Sequence, residues 1–189
     1  MDIERLHLNQ SVWVTSDSDV HIPFCSISNA LSSIKPVDKN STAVHFSSSI
    51  DSISLPKILA AWLKGYALVP ISENQSEHLK NHFLEKTKAI PISSIFDEHH
   101  SNSETEFLTD LKGTACYIQT SGSSGAPKIV SISQEMVFAA SNTVEHWIKP
   151  QKTDTWLLTL PLHHIGGLSV LFRSLIGQFR VYYKPGLQL

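Results

Sequence analysis

The run TSGSSGAPK, Thr120 to Lys128, brings together two glycines, four hydroxyl side chains and a lysine. A set of this kind can hold a polyphosphate. Gly122 and Gly125 permit positive φ and close backbone approach, so successive N–H groups can converge on one anion. Thr120, Ser121, Ser123 and Ser124 add hydroxyl donors. Pro127 stiffens the exit of the turn, and Lys128 brings a point charge for terminal phosphates. The same composition also suits an ordinary surface turn, because Gly, Ser and Pro dominate turns of every function. Composition leaves both readings open. A Walker loop is excluded, since its lysine follows glycine and precedes Ser or Thr, whereas Lys128 stands between Pro127 and Ile129.

A second group with chemical potential lies in WLLTLPLHHIGGLSVLFRSLI, Trp156 to Ile176. A buried strand is expected to end at Pro161 and give way to His163-His164 and the pair Gly166-Gly167. In parallel α/β sheets ligands gather beyond the carboxyl ends of strands, which places this loop well for a site. Adjacent histidines in extended chain point opposite ways, so one of the two is expected to face a pocket. Arg173 either offers a planar fork to a carboxylate or sits on the outer face of its helix. Elsewhere, His78 and His82 stand four apart on an expected helix but lack a third metal ligand. His99-His100 reads as solvated surface, and Cys116 as a small apolar packing group.

Tyr117 to Ser133, YIQTSGSSGAPKIVSIS, resembles without a gap the signature of the adenylate-forming superfamily: acyl-CoA synthetases, peptide-synthetase adenylation domains and luciferases. The loop of that superfamily reads Thr-Ser-Gly-Ser/Thr-Thr/Ser-Gly-x-Pro-Lys. The resemblance implies that the loop from Thr120 through Gly122 and Gly125 closes over the β- and γ-phosphates of ATP. Ser121, Ser123, Ser124 and Lys128 then take contact roles. The superfamily also has Pro-Leu-x-His, whose histidine shapes the acyl pocket. His164 matches that histidine, while His163 replaces what is often an aromatic residue.

Within the superfamily, LLTLPLHHIGGLSVLFRSLI is most similar to the o-succinylbenzoate-CoA ligases of menaquinone biosynthesis, whose segment commonly reads Leu-Pro-Leu-Phe-His-Ile/Val-Ser-Gly-Leu-Ser. Gly166 here replaces the serine. Leu55 to Lys64 with the following YALVPI is similar to the family's Leu-x-x-Lys-x-Gly-x-x-x-x-Pro-Leu element. The resemblance implies an acid-thiol ligase that uses ATP, Mg2+ and coenzyme A, with His164, Gly166, Gly167 and Arg173 at the acyl pocket. A ligase for another aryl or fatty acid, or a non-catalytic nucleotide-binding protein, stands as the alternative. The family's later motifs, Tyr-Gly-x-Thr-Glu, Thr-Gly-Asp, the hinge and the lysine of the carboxyl-terminal domain, are absent from residues 1–189. The expectation is therefore an amino-terminal piece of the large domain, without a catalytic residue of its own and with little activity alone.

Short apolar runs alternate with stretches of helical period, which predicts an α/β fold of layered sheets with mostly parallel strands and flanking helices. Two approximate units, 1–110 and 111–189, are expected. In the first, Val44-His45-Phe46 predicts a strand, Leu55 to Lys64 a helix stopped by Gly65, Tyr66 to Ile71 a buried strand, Glu77 to Lys86 a helix and Ala89-Ile90 a short strand. In the second, Thr114 to Gln119 and Lys128 to Ser131 are expected strands around the loop. A helix follows from the N-cap Ser133 to about Trp147, with Met136, Val137, Ala140 and Val144 inward. Thr155 to Leu160 predicts a strand, Leu168 to Ile176 a helix and Phe179 to Tyr183 a last strand. The Ser-rich stretches Ser26 to Ser33 and Ser47 to Ser54, with His99 to Glu106, read as loops or helix starts.

The 189 residues, 41% of them hydrophobic, suffice for a substantial core. With 15 basic against 17 acidic residues the net charge is -2, which excludes the broad positive field of a nucleic-acid binder. The longest apolar stretch, Ile165 to Gly177, is interrupted by Arg173 and falls short of the roughly 20 residues that span a bilayer. MDIERLHLNQ has no apolar run and does not read as a secretory signal. Cys25 and Cys116 are unpaired in pattern, which points to a reducing compartment, the cytoplasm.

Overall fold

The computed structural model describes residues 14–15, 24–35, 42–49, 54–97, 113–121 and 127–184. In chain order they form β1 (Val14–Thr15), α1 (Phe24–Ser32), β2 (Ala43–Ser47), α2 (Ser54–Leu63), β3 (Ala67–Ile71), α3 (Glu77–Thr87) and β4 (Ile90–Pro91), followed by a 3-10 turn at Ile92–Ile95. The rest is β5 (Thr114–Thr120), β6 (Lys128–Ser133), α4 (Gln134–Ile148), β7 (Thr155–Leu158), α5 (Ile165–Gly177) and β8 (Arg180–Tyr183).

Five strands make one sheet in the order β4-β2-β3-β5-β6, and three make another in the order β1-β8-β7. All neighbours are parallel except β5 and β6. The expected α/β class with mostly parallel strands is what forms. The alternation of side chains along a strand sends each face of the larger sheet to its own core. Val44, Phe46 and Leu68 point into the main core, which also takes in α1, α2, α4, α5, β7 and β8. Ala43, Ala67, Val69 and Ile71 point the other way, onto Phe83 and Leu84 of α3. Covered on both faces, β3 is buried at every position and reads as a continuous apolar run.

The helix that enters the main core stops as expected. Gly65 has φ +90°, and the bonds Tyr66 N–H to Ala61 O and Gly65 N–H to Trp62 O close a Schellman cap around it. Trp62 then lies between rings of two later helices. Its centroid is 4.6 Å from that of Phe172 on α5 and 6.2 Å from that of Phe138 on α4. One side chain thus joins α2 to the helices that follow β6 and β7.

Several expectations change. Ser26 to Ser33 is mostly the body of α1, because Ile27, Ala30, Leu31 and Ile34 supply a buried face between the serines. The stretch His99 to Glu106 lies outside the described residues. On α4 the buried positions are Gln134, Val137, Phe138 and Ser141, while Met136 and Ala140 face outward. The inward face is set by Trp62 and α5, which sit about one residue around the helix from the apolar stripe. The helix α5 begins at Ile165, three residues ahead of the expected Leu168, because the backbone of His164 starts it: Leu168 N–H bonds to His164 O at 3.1 Å.

Ser133 caps α4, its Oγ accepting from Met136 N–H at 3.1 Å. Ser133→Ala removes that acceptor and should lower stability by about 1 kcal/mol, measured by denaturant unfolding.

Candidate phosphate loop and acyl cleft

The loop TSGSSGAPK is the connection of a β-hairpin. The antiparallel register pairs Gln119 with Ile129 and Thr120 with Lys128, and Thr120 Oγ1 donates to Lys128 O at 3.5 Å. The first and last residues of the loop are therefore held opposite each other by the ladder. The strands β2, β3 and β5 are parallel, so Ser47, Ile71 and Thr120 end on the same edge of the sheet. The loop leaves from the carboxyl edge, where α/β sheets present their ligand sites. Ser121 and Lys128 are exposed there. Gly122, Ser123, Ser124 and Gly125 lie outside the described residues.

That edge carries further polar groups. Glu73 Oε1 accepts from Ser49 Oγ at 2.5 Å and from Ser47 Oγ at 2.9 Å, and these hydroxyls hold its carboxyl below the usual carboxylate range. Gln75 Nε2 donates to Gln119 Oε1 at 2.6 Å. His45, on β2, is held below the ordinary histidine value by burial and then by the charge of Lys80. These contacts join residues far apart in sequence, and no local spacing signalled them.

Under the loop, Cys116 is fully buried on β5, as its apolar reading requires. Desolvation pushes its thiol up to about 12 from the ordinary 9.0. His78 and His82 are exposed on α3, and no group of three metal-ligating residues occurs among the described residues. Cys25 lies outside the residues whose side chains are described.

Two of the second-site residues, Gly166 and Arg173, line a cleft of about 370 Å³ between α4 and α5. Ile132 of β6 and Met136 and Ala140 of α4 form one wall. Ile165, Gly166, Ser169, Phe172 and Arg173 of α5 form the other. The outward turn of Met136 and Ala140 is thus what opens an apolar cavity. Arg173 reaches into it with Nε buried and without a hydrogen-bond partner among the described residues. Of the expected acyl-pocket residues, the structure brings together Gly166 and Arg173, and seven residues of helix rise separate them by roughly 10 Å.

His164 and Gly167 stand elsewhere. His164 is exposed at the N-cap of α5 and makes no side-chain capping bond. The two histidines do not diverge as extended chain would require, because residues 162–163 form a turn and the rings meet at 4.3 Å. His163 is the half-buried one, held below the ordinary histidine value by burial and then by His164. Gly167 is packed against the chain that leaves β7: a Cβ there would meet Leu160 O and Pro161 O, both at 2.5 Å. Its glycine serves close approach of backbone to helix rather than a lining. Cleft and loop share β6 but remain apart, since Ile132 is four residues beyond Lys128, about 13 Å at strand rise.

The described residues thus form a mostly parallel α/β sheet with a Gly/Ser hairpin loop at its carboxyl edge and, apart from that loop, an apolar cleft that Arg173 lines. A family model described as AMP-binding enzyme matches residues 68–188, and the chain belongs to that family. Among curated relatives it is 32% identical over 95 residues to the 2-succinylbenzoate–CoA ligase of Enterococcus faecalis, a match covering 49% of this chain and 20% of that protein. It is 33% identical over 99 residues to the enzyme of the same name from Bacillus subtilis, covering 51% and 20%. Among solved structures, the Bacillus subtilis o-succinylbenzoate CoA synthetase in complex with the acyl-adenylate intermediate OSB-AMP superposes with a TM-score of 0.77 at 21% identity. That match covers 95% of this chain and 53% of the other, and at this identity it speaks for the fold. The matched segments amount to about a fifth of the length of the two ligases.

Gly167→Ala should lower stability by about 1–3 kcal/mol, since carbonyl oxygens of the backbone block the added carbon. Gly166→Ala should cost less, because its Cβ meets only the flexible Leu160 Cδ1 at 2.8 Å; paired thermal melts check the order. Cys116 should resist alkylation at pH 8 in the folded chain and react on unfolding. Its raised pKa stabilises the fold fully below the unfolded thiol's value, and that contribution should be lost as pH rises from about 9 towards 12. Unfolding curves across that range, compared with Cys116→Ala, measure it.

Proposed function

We propose that this chain supplies the ATP-phosphate loop and part of the acyl wall of an o-succinylbenzoate–CoA ligase. The observation that carries the reading is the hairpin that sets TSGSSGAPK, with its ends paired at Thr120 and Lys128, on the carboxyl edge of the parallel sheet. In this reading Thr120, Ser121, Gly122, Ser123, Ser124, Gly125 and Lys128 grip the β- and γ-phosphates of MgATP. The carboxylate of the acid attacks the α-phosphorus, pyrophosphate leaves, and coenzyme A displaces AMP from the acyl group. The protein's part in the first step is to neutralise the leaving phosphates and hold attacking and leaving oxygens in line.

The cleft suits the acid by its chemistry. The substrate is an aromatic ring with a ketone and two carboxylates, and it needs apolar walls with a cation for the carboxylate that does not react. Met136, Ala140, Ile165 and Phe172 offer the walls, and the guanidinium of Arg173, whose buried Nε has no hydrogen-bond partner among the described residues, offers the cation. His164 and Gly167 contribute from outside the cleft lining: the first as an exposed group at the start of α5, the second by fixing the loop that carries it. This reading places the protein in menaquinone biosynthesis in the cytoplasm, a reducing compartment in which Cys116 stays a thiol. The domain reading follows from the same proposal: residues 1–189 belong to the large ATP- and acyl-binding domain.

The test is acid-dependent pyrophosphate exchange by the polypeptide that carries this chain, with a panel of aryl and fatty acids. Lys128→Ala should reduce ATP-dependent adenylate formation about 10- to 100-fold, the worth of a charged hydrogen bond. Ser123→Ala should act in the same direction. Arg173→Ala and His164→Ala should weaken binding of o-succinylbenzoate while leaving ATP affinity unchanged. Full activity in Lys128→Ala and Ser123→Ala sinks the loop assignment. Preference for a monocarboxylic acid sinks the choice of substrate.

A further inference from the structure

The larger sheet has a switch point of its own between β2 and β3. From β2 the chain crosses to β3 through α2 on the main-core face, and from β3 it crosses to β4 through α3 on the opposite face. The two strands are adjacent and parallel, with Ser47 and Ile71 paired at their carboxyl ends. Where connections leave neighbouring strands to opposite faces, a crevice opens at the carboxyl ends, and open α/β sheets take ligands there. A crevice of about 390 Å³ lies at this point, lined by His45 and Ser47 of β2, Glu73 and Gln75 of the turn after β3, and Glu77 and Lys80 of α3. Its volume is that of a small-molecule site, and it shares no lining residue with the cleft between α4 and α5.

The charges of the crevice do not cancel. Lys80 Nζ is taken up by Glu77 Oε1 at 3.3 Å. His45 is held below the ordinary histidine value by burial and then by Lys80, so it is uncharged at neutral pH. Glu73 is left as a carboxylate with no cationic partner among the described residues. Its Oε1 accepts from Ser47 Oγ and Ser49 Oγ, which fixes the group in place, and its Oε2 has no bond among the described residues. Gln75 donates from Nε2 to Gln119 Oε1, so the other end of its carboxamide, Oε1, is an open acceptor. Two open acceptors, one of them charged, call for a cationic donor, and the same charge disfavours an anion. Ile71, also in the lining, adds an apolar surface beside them.

We propose that the crevice between β2 and β3 binds a small organic cation, a primary ammonium on an apolar stem, with the ammonium donating to Glu73 Oε2 and Gln75 Oε1 and the stem lying against Ile71. This site goes beyond the ligase reading and does not rest on it.

Hexylammonium is titrated against the polypeptide that carries this chain at neutral pH and low ionic strength, with 1-hexanol as the uncharged probe of the same length, and binding is followed by ligand-observed NMR. Saturable binding of hexylammonium is expected, with 1-hexanol the weaker. Glu73→Gln keeps an acceptor for the two serine hydroxyls and removes the charge. It should weaken hexylammonium binding about fivefold, the upper end for an exposed ion pair. Lys80→Gln frees Glu77 and should tighten binding about twofold. Glu135→Gln, at an exposed position of α4 outside the crevice, should leave it unaltered. Thermal melts establish that the variants are folded. Absence of saturable hexylammonium binding overturns the proposal, and so does equal binding of 1-hexanol, equal affinity in Glu73→Gln, or affinity that fails to rise in Lys80→Gln. A loss in Glu135→Gln as large as that in Glu73→Gln indicates diffuse attraction by surface carboxylates and overturns it too.

Discussion

Trp62 is the side chain on which the arrangement of the two sites depends. It is carried into the core by α2, which is stopped by Gly65 and followed at once by the central strand β3. Its ring lies against Phe138 and Phe172, so the helix after the phosphate hairpin and the helix after the histidine loop are packed on one aromatic group. Aromatic contacts of this geometry add about 0.5–1.5 kcal/mol each beyond the area they bury. Their larger consequence is directional. With Phe138 and Phe172 committed inward, the adjacent flanks of α4 and α5 diverge around the cleft, and Met136, Ala140, Ser169 and Arg173 are left to line it.

Backbone contacts do the equivalent work at the other ends. The hairpin ladder holds Thr120 opposite Lys128, so the two ends of the loop are fixed against each other. Gly167 lets the chain leaving β7 press its carbonyls onto the first turn of α5. That contact sets where His164 stands and gives the glycine pair two distinct functions. Gly166 borders the cavity, and Gly167 fits the backbone. The polar cluster of Ser47, Ser49, Glu73, Gln75 and Gln119 adds a third layer at the carboxyl edge, made of residues drawn from three segments.

Much of the fold was legible from local pattern. The β2-α2-β3-α3 series, the Gly65 stop and the Ser133 cap follow from periodicity and from the few residues that can end or begin a helix. Where pattern failed, the reason was tertiary. Serines in α1 mark a helix because every third or fourth residue between them is apolar and finds α2 to cover it. The buried face of α4 lies about one position around from its apolar stripe, because periodicity says that a face is apolar and not which neighbour claims it. Adjacent histidines were expected to diverge, and a turn brought them together.

The sequence by itself determined the family to which the chain belongs, because a gapless motif of glycines, hydroxyls and a lysine constrains backbone and charge locally. It also determined the α/β class, since strand and helix periods are properties of consecutive residues. Only the tertiary structure decided that Arg173 lines a cavity, that Gly167 is a packing residue, and that Gln75 bonds to Gln119. The first and third depend on surfaces that meet across tens of residues, the second on the turn that brings Leu160 and Pro161 back onto α5. For the cleft that meeting is fixed by the burial of Trp62 against Phe138 and Phe172, and no spacing along the chain encodes it.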